Sequence, residues 1–379
     1  MTDDVEQLAL QRSRSMELSD NEFRWALQQI EGKQKMRQKT PELCTDEHWW
    51  WPVRISLEQS SSQATAQYKA QLLQNIVPVH CPTHLIDLTG GIGVDCLYMG
   101  KIMGLVDYIE LNEELCRIAT HNLHPYPIYN VHCANAKDWI DRYSKQNDEW
   151  LAIYIDPARR DKNGGKVFRL EDCTPNVCEL LPTIKRQADC VMLKLSPMID
   201  ISAAVSSLDE LAWDVHVVAI RNEVKEILLL STNRSPRIHA LDLDYHVHFT
   251  FSREEEHSAE VQFATEIKHY LYEPNAAIMK AGAYKLLSSR YRLSKLDQNS
   301  QLYTSDERIS DFPGKRLRVL QRGCKPQELK GVQANVVARN YPMKADELRR
   351  KLGTRDGGNT YIIGTRARGN ATLLLAEAD

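Results

Sequence analysis

A glycine-rich turn between a buried strand and a helix, within residues 85–97, constrains the fold of this 379-residue chain more than any other segment. Apolar residues predict the strand over residues 84–88, and apolar residues at helical spacing follow from Val94. Glycine permits positive φ and lets the backbone come close to a ligand. A G-x-G turn that opens a helix is typical of nucleotide-binding sites. The turn holds three glycines: Gly90, Gly91 and Gly93.

Strands and helices alternate after this turn. Short apolar runs predict strands over residues 107–111, 128–133, 150–155, 190–195, 215–220, 227–230 and 245–251. Helical patterns separate most of these runs, which predicts an α/β fold with a mostly parallel sheet covered on both faces. In such a sheet, ligands bind outside the carboxyl ends of the strands. Site residues are therefore expected where each strand ends.

Composition and charge divide the chain into four expected regions. These are a helical region at 1–76, the sheet domain at 77–255, a small α+β module at 256–318 and a basic domain at 319–379. Between residues 315 and 370, 14 Lys and Arg stand against four Asp and Glu, a net charge of +10, whereas the whole chain carries −3. A basic module favours a polyanionic partner such as RNA, and a solvated charged surface is the alternative.

Cysteine spacing and hydropathy argue against several kinds of site and cellular location. The nine cysteines include no C-x-x-C pair, which argues against a disulfide framework and a zinc site and favours a reducing cytoplasm. No signal peptide and no apolar run of about 18 residues are visible, so no membrane association is expected. His246 and His248 share one face of a predicted strand, but they lack a third ligand, so no metal is expected. The oligomeric state is left open.

Polar residues follow four of the predicted strands. They are Asp87 and Thr89, then Glu110, then Asn135 and Ala136, and finally Asp156 and Pro157. A carboxylate such as Glu110 can accept both hydroxyls of a ribose, and Asn135 suits the polar edge of adenine. The spacing from the glycines to Glu110 also fits a dinucleotide site.

Two features favour S-adenosylmethionine over a dinucleotide as the ligand. The Asp87 carboxylate lies inside the first strand, where it would repel a pyrophosphate and attract a cationic sulfonium. The Asp156-Pro157 pair is expected opposite the methyl group of the donor. The strand ends thus predict a methyl-transfer site.

These motifs resemble those of class I S-adenosylmethionine-dependent methyltransferases and imply a Rossmann-like sheet. The turn with Asp95 is similar to that of bacterial rRNA guanine-N2 methyltransferases. Residues 156–159 are similar to the Asp-Pro-Pro-Arg and Asp/Asn-Pro-Pro-Tyr motifs of RNA and DNA base methyltransferases. From about residue 58 the layout also resembles a bacterial group of candidate RNA methyltransferases with a ferredoxin-like module and a C-terminal THUMP-like domain. Residues 272–275 and 359–368 carry that part of the match.

The resemblance implies roles for individual residues. Cofactor contacts are expected from Asp87, Thr89, Gly90, Gly91, Gly93, Asp95, Glu110, Leu111, Asn135, Ala136 and Asp156. Asp156 and the Pro157 carbonyl would orient a nitrogen of the target base and accept its proton, with Arg159 beside them. No aromatic residue follows Asp-Pro, so Arg159 or Arg160 would stack on the base or contact phosphate.

Further residues are candidates for substrate contact. They are Thr65 and Lys69 on the helix before the first strand, Arg160, Lys194 after the fifth strand, and Arg366 and Arg368 in the basic module. The alternative for Lys194 is a surface lysine or one that pairs with a phosphate. The alternative for residues 156–159 is a structural salt bridge.

The leading hypothesis is an RNA base N-methyltransferase that acts on tRNA or rRNA, with the basic module on the RNA backbone. The target atom, an exocyclic amine or a ring nitrogen, stays open. A methyltransferase for a protein or small molecule is one alternative, and a non-catalytic RNA-binding protein with the same fold is another. No cysteine lies near Asp156, which argues against covalent C5-pyrimidine methylation because that reaction needs a thiolate.

Overall fold

The computed structural model describes residues 19–146, 148–158, 169–208 and 211–379. The chain divides into two compact units. The first comprises Met1–Trp213 and Leu228–Arg234, and the second comprises Asp214–Ile227 and Ser235–Asp379. None of the helices described is both long and apolar enough to cross a membrane.

Helices form the N-terminal part of the first unit. They are α1 (Asp20–Met36), a 3₁₀ turn (Leu43–Thr45), α2 (Arg54–Gln59) and α3 (Gln63–Gln74). Ser19 and Glu22 cap α1 reciprocally, and the Ser62 side chain caps α3. Trp51 is buried against Gly32, where a Cβ atom would lie 2.3 Å from the Trp51 Cβ atom. The segment of three tryptophans at residues 49–51 therefore forms a packed corner between helices.

Alternating strands and helices follow in the first unit. They are β1 (Thr83–Asp87), α4 (Val94–Gly100), β2 (Leu105–Glu110), α5 (Glu113–Leu123), β3 (Tyr129–Cys133), α6 (Ala136–Ile140), β4 (Trp150–Ile155), a 3₁₀ turn (Leu170–Asp172), α7 (Val177–Ile184), β5 (Cys190–Leu195) and α8 (Ile201–Ser206). The sheet continues through β6 (Trp213–Ile220), β7 (Glu223–Ser231), β8 (Ile238–Asp242) and β9 (Val247–Phe251).

The order of the nine strands is β3-β2-β1-β4-β5-β7-β6-β8-β9. The strands from β3 to β5 pair in parallel, as do β6 and β8, whereas β8 and β9 are antiparallel. The central strands are almost wholly buried, because helices cover a parallel sheet on both faces. The predicted α/β, Rossmann-like fold is confirmed, and the polar residues that follow β1 and β4 lie at the same edge.

The second unit contains a second sheet. Its elements are α9 (Arg253–Ser258), β10 (Tyr270–Pro274), α10 (Ala276–Ala281), α11 (Tyr284–Tyr291), β11 (Ser294–Asp297), β12 (Ser300–Ser305), β13 (Gly314–Arg322), β14 (Asn335–Ala338), α12 (Ala345–Leu352), β15 (Thr360–Ala367) and β16 (Asn370–Ala378). The strand order is β11-β12-β10-β13-β16-β15-β14.

The sequence predicts a terminal hairpin of strands 361–365 and 371–375, and a single helix over residues 276–287. The predicted hairpin of β15 and β16 is confirmed. The single helix expected over residues 276–287 is wrong, because Gly282 adopts φ 83° and separates two short helices. The boundary expected between residues 318 and 319 falls inside β13, which pairs with β10 on one side and β16 on the other.

Candidate functional site

The glycine turn after β1 is built on a buried tyrosine. A Cβ atom on Gly90 would lie 2.1 Å from the Tyr108 ring, and the Tyr108 hydroxyl donates to the Gly91 carbonyl at 2.6 Å. Gly91 and Gly93 adopt φ 58° and 82°. A Cβ atom on Gly93 would meet no atom within 4 Å. The turn therefore presents backbone to open space, which suits close approach of a ligand.

Glu110 at the end of β2 holds this turn in place. Its carboxylate accepts hydrogen bonds from the backbone N–H groups of Gly91 (2.9 Å), Leu111 (2.9 Å) and Asn112 (2.8 Å). The Leu111 side chain beside it is 61% exposed. The structure thus brings together the predicted acidic group, the glycine turn and an apolar side chain that a flat ring can cover.

Asp87, which the sequence predicts to act as a charge on the ligand, is buried. It is 1% exposed, and its carboxylate accepts the Thr89 N–H at 3.0 Å. Burial raises the pKa of Asp87 well above its ordinary value, despite that hydrogen bond. Because a raised pKa favours the neutral carboxyl, the expected attraction between Asp87 and a sulfonium is not supported. Asp87 instead orients the backbone at the start of the turn.

Thr89 connects the glycine turn to the end of β4. Its hydroxyl accepts the Asp156 backbone N–H at 2.6 Å. The Asp156 carboxylate is partly exposed and forms an ion pair with Lys194 at the end of β5. Lys194 was expected to contact substrate, but its side chain is 11% exposed and it neutralises Asp156 instead. Pro157 is buried next to this pair. Arg159 and Arg160 lie outside the described residues.

Asn135 and Ala136 lie where the sequence places them, after β3. The Asn135 side-chain oxygen caps α6 by accepting the N–H groups of Lys137 (2.9 Å) and Asp138 (3.3 Å). That oxygen was expected to meet an adenine amino group, and the helix cap already occupies it. Ala136 is buried in the first turn of α6. The amide nitrogen of Asn135 is the group left for a ligand.

Two predicted site residues, Lys69 and Asp95, form a buried ion pair. Lys69 Nζ pairs with Asp95 at 3.0 Å and donates to Ser61 Oγ at 3.1 Å. Ser61 and Tyr154 both donate to the Asp95 carboxylate, at 2.6 and 2.7 Å. Burial disfavours the Asp95 anion, but Lys69 and these hydrogen bonds outweigh it and lower its pKa.

Burial has consequences for the substrate contacts expected from α3. Thr65 is 2% exposed and packs in the cap of that helix, and Lys69 is fully buried. A buried side chain is poorly placed to reach a large substrate, so the structure does not support either contact, and the Asp95 carboxylate pairs with Lys69. Sequence analysis missed Ser61 and Tyr154. The three adjacent serines at residues 60–62 are the signal that could have indicated Ser61.

Arg366 and Arg368 lie on the β15–β16 hairpin of the second unit. The Arg366 guanidinium donates to the Gly369 carbonyl at 2.7 Å, and the Arg368 guanidinium donates to the Thr265 carbonyl at 3.4 Å. Asp297 accepts the Gly369 N–H at 2.6 Å. These arginines therefore stabilise the hairpin itself, and substrate contact by them stays a prediction.

Three imidazole rings stack across β6, β8 and β9 in the second unit. The rings of His216 and His239 lie 4.4 Å apart at 6°, and those of His239 and His248 lie 5.7 Å apart. Within the described ranges, no group of three or more His, Cys, Asp or Glu side chains is arranged to hold a metal ion. The histidines are packed against one another instead.

Two known domain families match the C-terminal part of this chain. Residues 270–313 match a ferredoxin-like domain family, and residues 308–378 match a THUMP domain-like family. No curated protein matches the chain.

Solved structures give a relative along the full length. A candidate methyltransferase from Porphyromonas gingivalis W83 is 30% identical over 100% of this chain and 95% of its own, with a TM-score of 0.86. An S-adenosylmethionine-dependent methyltransferase from Agrobacterium tumefaciens is 15% identical over 45% of this chain and 61% of its own, with a TM-score of 0.33. The full-length match and the two domain matches show that this chain belongs to a family of class I methyltransferases with ferredoxin-like and THUMP-like domains.

Proposed function

We propose that this protein is an S-adenosylmethionine-dependent methyltransferase that N-methylates a base in tRNA or rRNA. One observation carries the proposal. Glu110 and Asp156, at the ends of β2 and β4, flank the open glycine turn of β1 between them. A THUMP-like domain in the same chain supports RNA as the substrate class.

The residues at the turn fit the proposed cofactor. Glu110 Oε2 accepts one backbone N–H and keeps an acceptor site for a ribose hydroxyl, Leu111 has exposed apolar surface for adenine, and Gly93 opens onto free space. When bound, S-adenosylmethionine supplies a methyl group on a positively charged sulfur. The nine free thiols support the cytoplasm as the compartment.

Asp156 and its neighbours position the target nitrogen. Thr89 holds the backbone of Asp156, and Lys194 holds its carboxylate, so the free oxygen lone pairs have a defined direction. That carboxylate accepts a hydrogen bond from the target N–H and takes its proton as the nitrogen gains a methyl group. The Pro157 carbonyl is the second acceptor.

Modified-nucleoside mass spectrometry tests the substrate class. RNA from cells with and without the protein is digested, and one methylated nucleoside is expected to disappear in its absence. The purified protein should then transfer labelled methyl groups to that RNA from the deficient cells. Label in protein or in small molecules would favour the alternative methyltransferase, and cofactor binding without transfer to any RNA would favour a non-catalytic RNA-binding protein.

Substitution of Asp156 tests the proposed mechanism. Asp156→Ala should lower the rate of methyl transfer at least about 100-fold, because the acceptor of the proton is lost. Cofactor affinity should change little, because Glu110 and the glycine turn are untouched. Single-turnover transfer and calorimetric binding measure the two quantities. Asp141→Asn, on an exposed position after α6, serves as the control, and near-normal transfer by Asp156→Ala would refute the role.

A further inference from the structure

A charged group that the proposed mechanism does not use lies in the first unit, just after α1. Lys39 is partly buried, and its ammonium group donates to the carbonyl oxygens of Leu57 (2.9 Å) and Glu58 (3.1 Å). Across the described part of the chain, no carboxylate lies within ion-pair distance of Lys39 Nζ. A sheltered ammonium without a counter-ion is unfavourable, so an anionic group from a ligand would complete this arrangement.

Short contacts connect Lys39 to the glycine turn. The Lys39 carbonyl accepts the Gln63 N–H at 2.8 Å, at the start of α3. Ser61, two residues earlier, donates to the Asp95 carboxylate at 2.6 Å. Asp95 in turn lies two residues after Gly93, in the first turn of α4. The Lys39 backbone is therefore connected through α3 and Asp95 to the helix that follows the glycine turn.

Electrostatics agree with this placement. Burial and the charges of Lys194 and Lys35 together lower the pKa of Lys39 to about 8, whereas the charges of Asp95 and Glu58 oppose the change. Lys39 thus experiences the charges of Lys194, which pairs with Asp156, and of Asp95, which follows the glycine turn. A negative charge bound at Lys39 would relieve its repulsion from Lys194.

We propose that the Lys39 ammonium group binds the carboxylate of the methionine part of S-adenosylmethionine. The proposal rests on the proposed function. Two of the three ammonium hydrogens are used by backbone carbonyls, which leaves one for a carboxylate oxygen. A small carboxylate fits a sheltered group near the glycine turn better than an RNA phosphate does, because the polynucleotide backbone is bulky. Lys39 would then be a residue that selects the amino-acid end of the cofactor.

Calorimetric binding with a matched ligand pair tests this assignment. Decarboxylated S-adenosylmethionine keeps the sulfonium and the amine of the cofactor and lacks only its carboxylate. The wild-type protein should bind S-adenosylmethionine at least about ten-fold more tightly than the decarboxylated form, because a charge-assisted hydrogen bond is lost. Lys39→Met should abolish most of that preference, and Lys39→Arg should restore part of it. Lys33→Met, at an exposed position of α1, should keep it.

The outcomes separate this assignment from the proposed function. A wild-type protein that binds both ligands equally, or a Lys39→Met variant that keeps the preference, overturns the assignment and leaves the cofactor in place. Weaker RNA binding by Lys39→Met with an unchanged ligand preference would identify an RNA phosphate as the partner instead. Failure of the wild-type protein to bind either ligand contradicts the proposed function itself. Thermal unfolding of each variant shows whether it folds, and the wild-type comparison does not depend on any variant.

Discussion

Gly90 shows how one residue can serve both packing and a ligand site. Its Cα lies against the Tyr108 ring, and the Tyr108 hydroxyl also holds the next peptide of the turn. Gly91 and Gly93 are required for a different reason, since both adopt positive φ. The motif alone does not distinguish these roles of the three glycines, because a tight contact and a left-handed conformation both select glycine.

Substitution of Gly90 follows from this contact. Gly90→Ala should lower the free energy of unfolding by about 1–3 kcal/mol and weaken cofactor binding, because the new methyl group displaces Tyr108 and the turn. Chemical denaturation and calorimetric binding measure the two effects. Gly104→Ala is the control, since a Cβ atom at that position would lie 3.2 Å from its nearest neighbour, the Thr83 carbonyl oxygen. Equal effects of both substitutions would show that the Tyr108 contact is not the cause.

Among the elements, α3 is attached to α4 by a buried ion pair. Lys69 on α3 and Asp95 on α4 form it, with Ser61 and Tyr154 as further partners of the carboxylate. Removal of one member leaves the other charge buried and unpaired, which costs more than the pair itself contributes. The N-terminal helices are therefore anchored at the helix that follows the glycine turn.

A double substitution tests this anchor. Lys69→Met should lower the free energy of unfolding of the first unit by about 3–5 kcal/mol. Lys69→Met with Asp95→Asn should recover part of the loss, because the amide that replaces the carboxylate is neutral and can still bond to Ser61 and Tyr154. Urea denaturation followed by tryptophan fluorescence gives both values. Additive losses in the double variant would mean that the two charges do not depend on each other.

The imidazole stack makes the second unit sensitive to acid. Burial, together with the neighbouring rings of His239 and His248, lowers the pKa of His216 to about 3. Asp214 and Arg237 also act on His239, in opposite directions. An unfolded histidine titrates near 6.5, so the unfolded chain binds the proton first, and stability falls as the pH drops below about 6.5.

Replacement of His216 should reduce this pH dependence. At pH 5 the unfolded chain binds a proton at His216 and the folded protein does not. The contribution of His216 to the free energy of unfolding is therefore about 2 kcal/mol lower at pH 5 than at pH 8. His216→Phe should therefore lose less stability between pH 8 and pH 5 than the wild-type protein does, as thermal unfolding at each pH would show. His257→Gln, at an exposed site on α9, should behave like the wild type. A wild-type slope in His216→Phe would assign the acid sensitivity to other groups.

On the scale of the whole molecule, acidic residues neutralise much of the basic domain. Arg318 pairs with Glu377, Arg339 pairs with Glu273, and Arg349 pairs with Asp346 and Asp356. Lys330, Lys351 and Arg355 are among the exposed cations of the basic domain that form no ion pair with a carboxylate of the described residues. The Gly331 N–H bonds to the Leu352 carbonyl at 3.0 Å and the Ala334 N–H to the Arg355 carbonyl at 2.9 Å, so these cations lie near one another.

RNA binding should depend on these three cations more than on the paired arginines. Lys351→Gln with Arg355→Gln should weaken RNA binding and reduce the slope of log affinity against log salt concentration by up to about 2, since each lost phosphate contact removes roughly one unit. Arg318→Gln should change the slope little, because Glu377 already neutralises Arg318. Filter binding over a salt series measures this, and unchanged slopes in both variants would place the RNA elsewhere.

The sequence by itself determined the layout of the nucleotide-type site. The strands at residues 150–155 and 190–195 coincide with β4 and β5, because buried parallel strands are short apolar runs with clear ends. The glycine turn and the acidic strand ends also lie where expected, because strand order in a Rossmann-like sheet brings the carboxyl ends together. These features depend on residues that are close together in the chain.

Tertiary structure alone decided which charges are free. Lys194 neutralises Asp156, Lys69 lies buried against Asp95, and Asp87 is buried beneath Thr89. The partners in the two ion pairs are far apart in sequence, and the pairing depends on which elements the fold places side by side. No periodicity or motif carries that information. Burial and pairing set the free energy of each charged group, so the chemistry of the site could be located from the sequence but could be assigned to individual groups only from the fold.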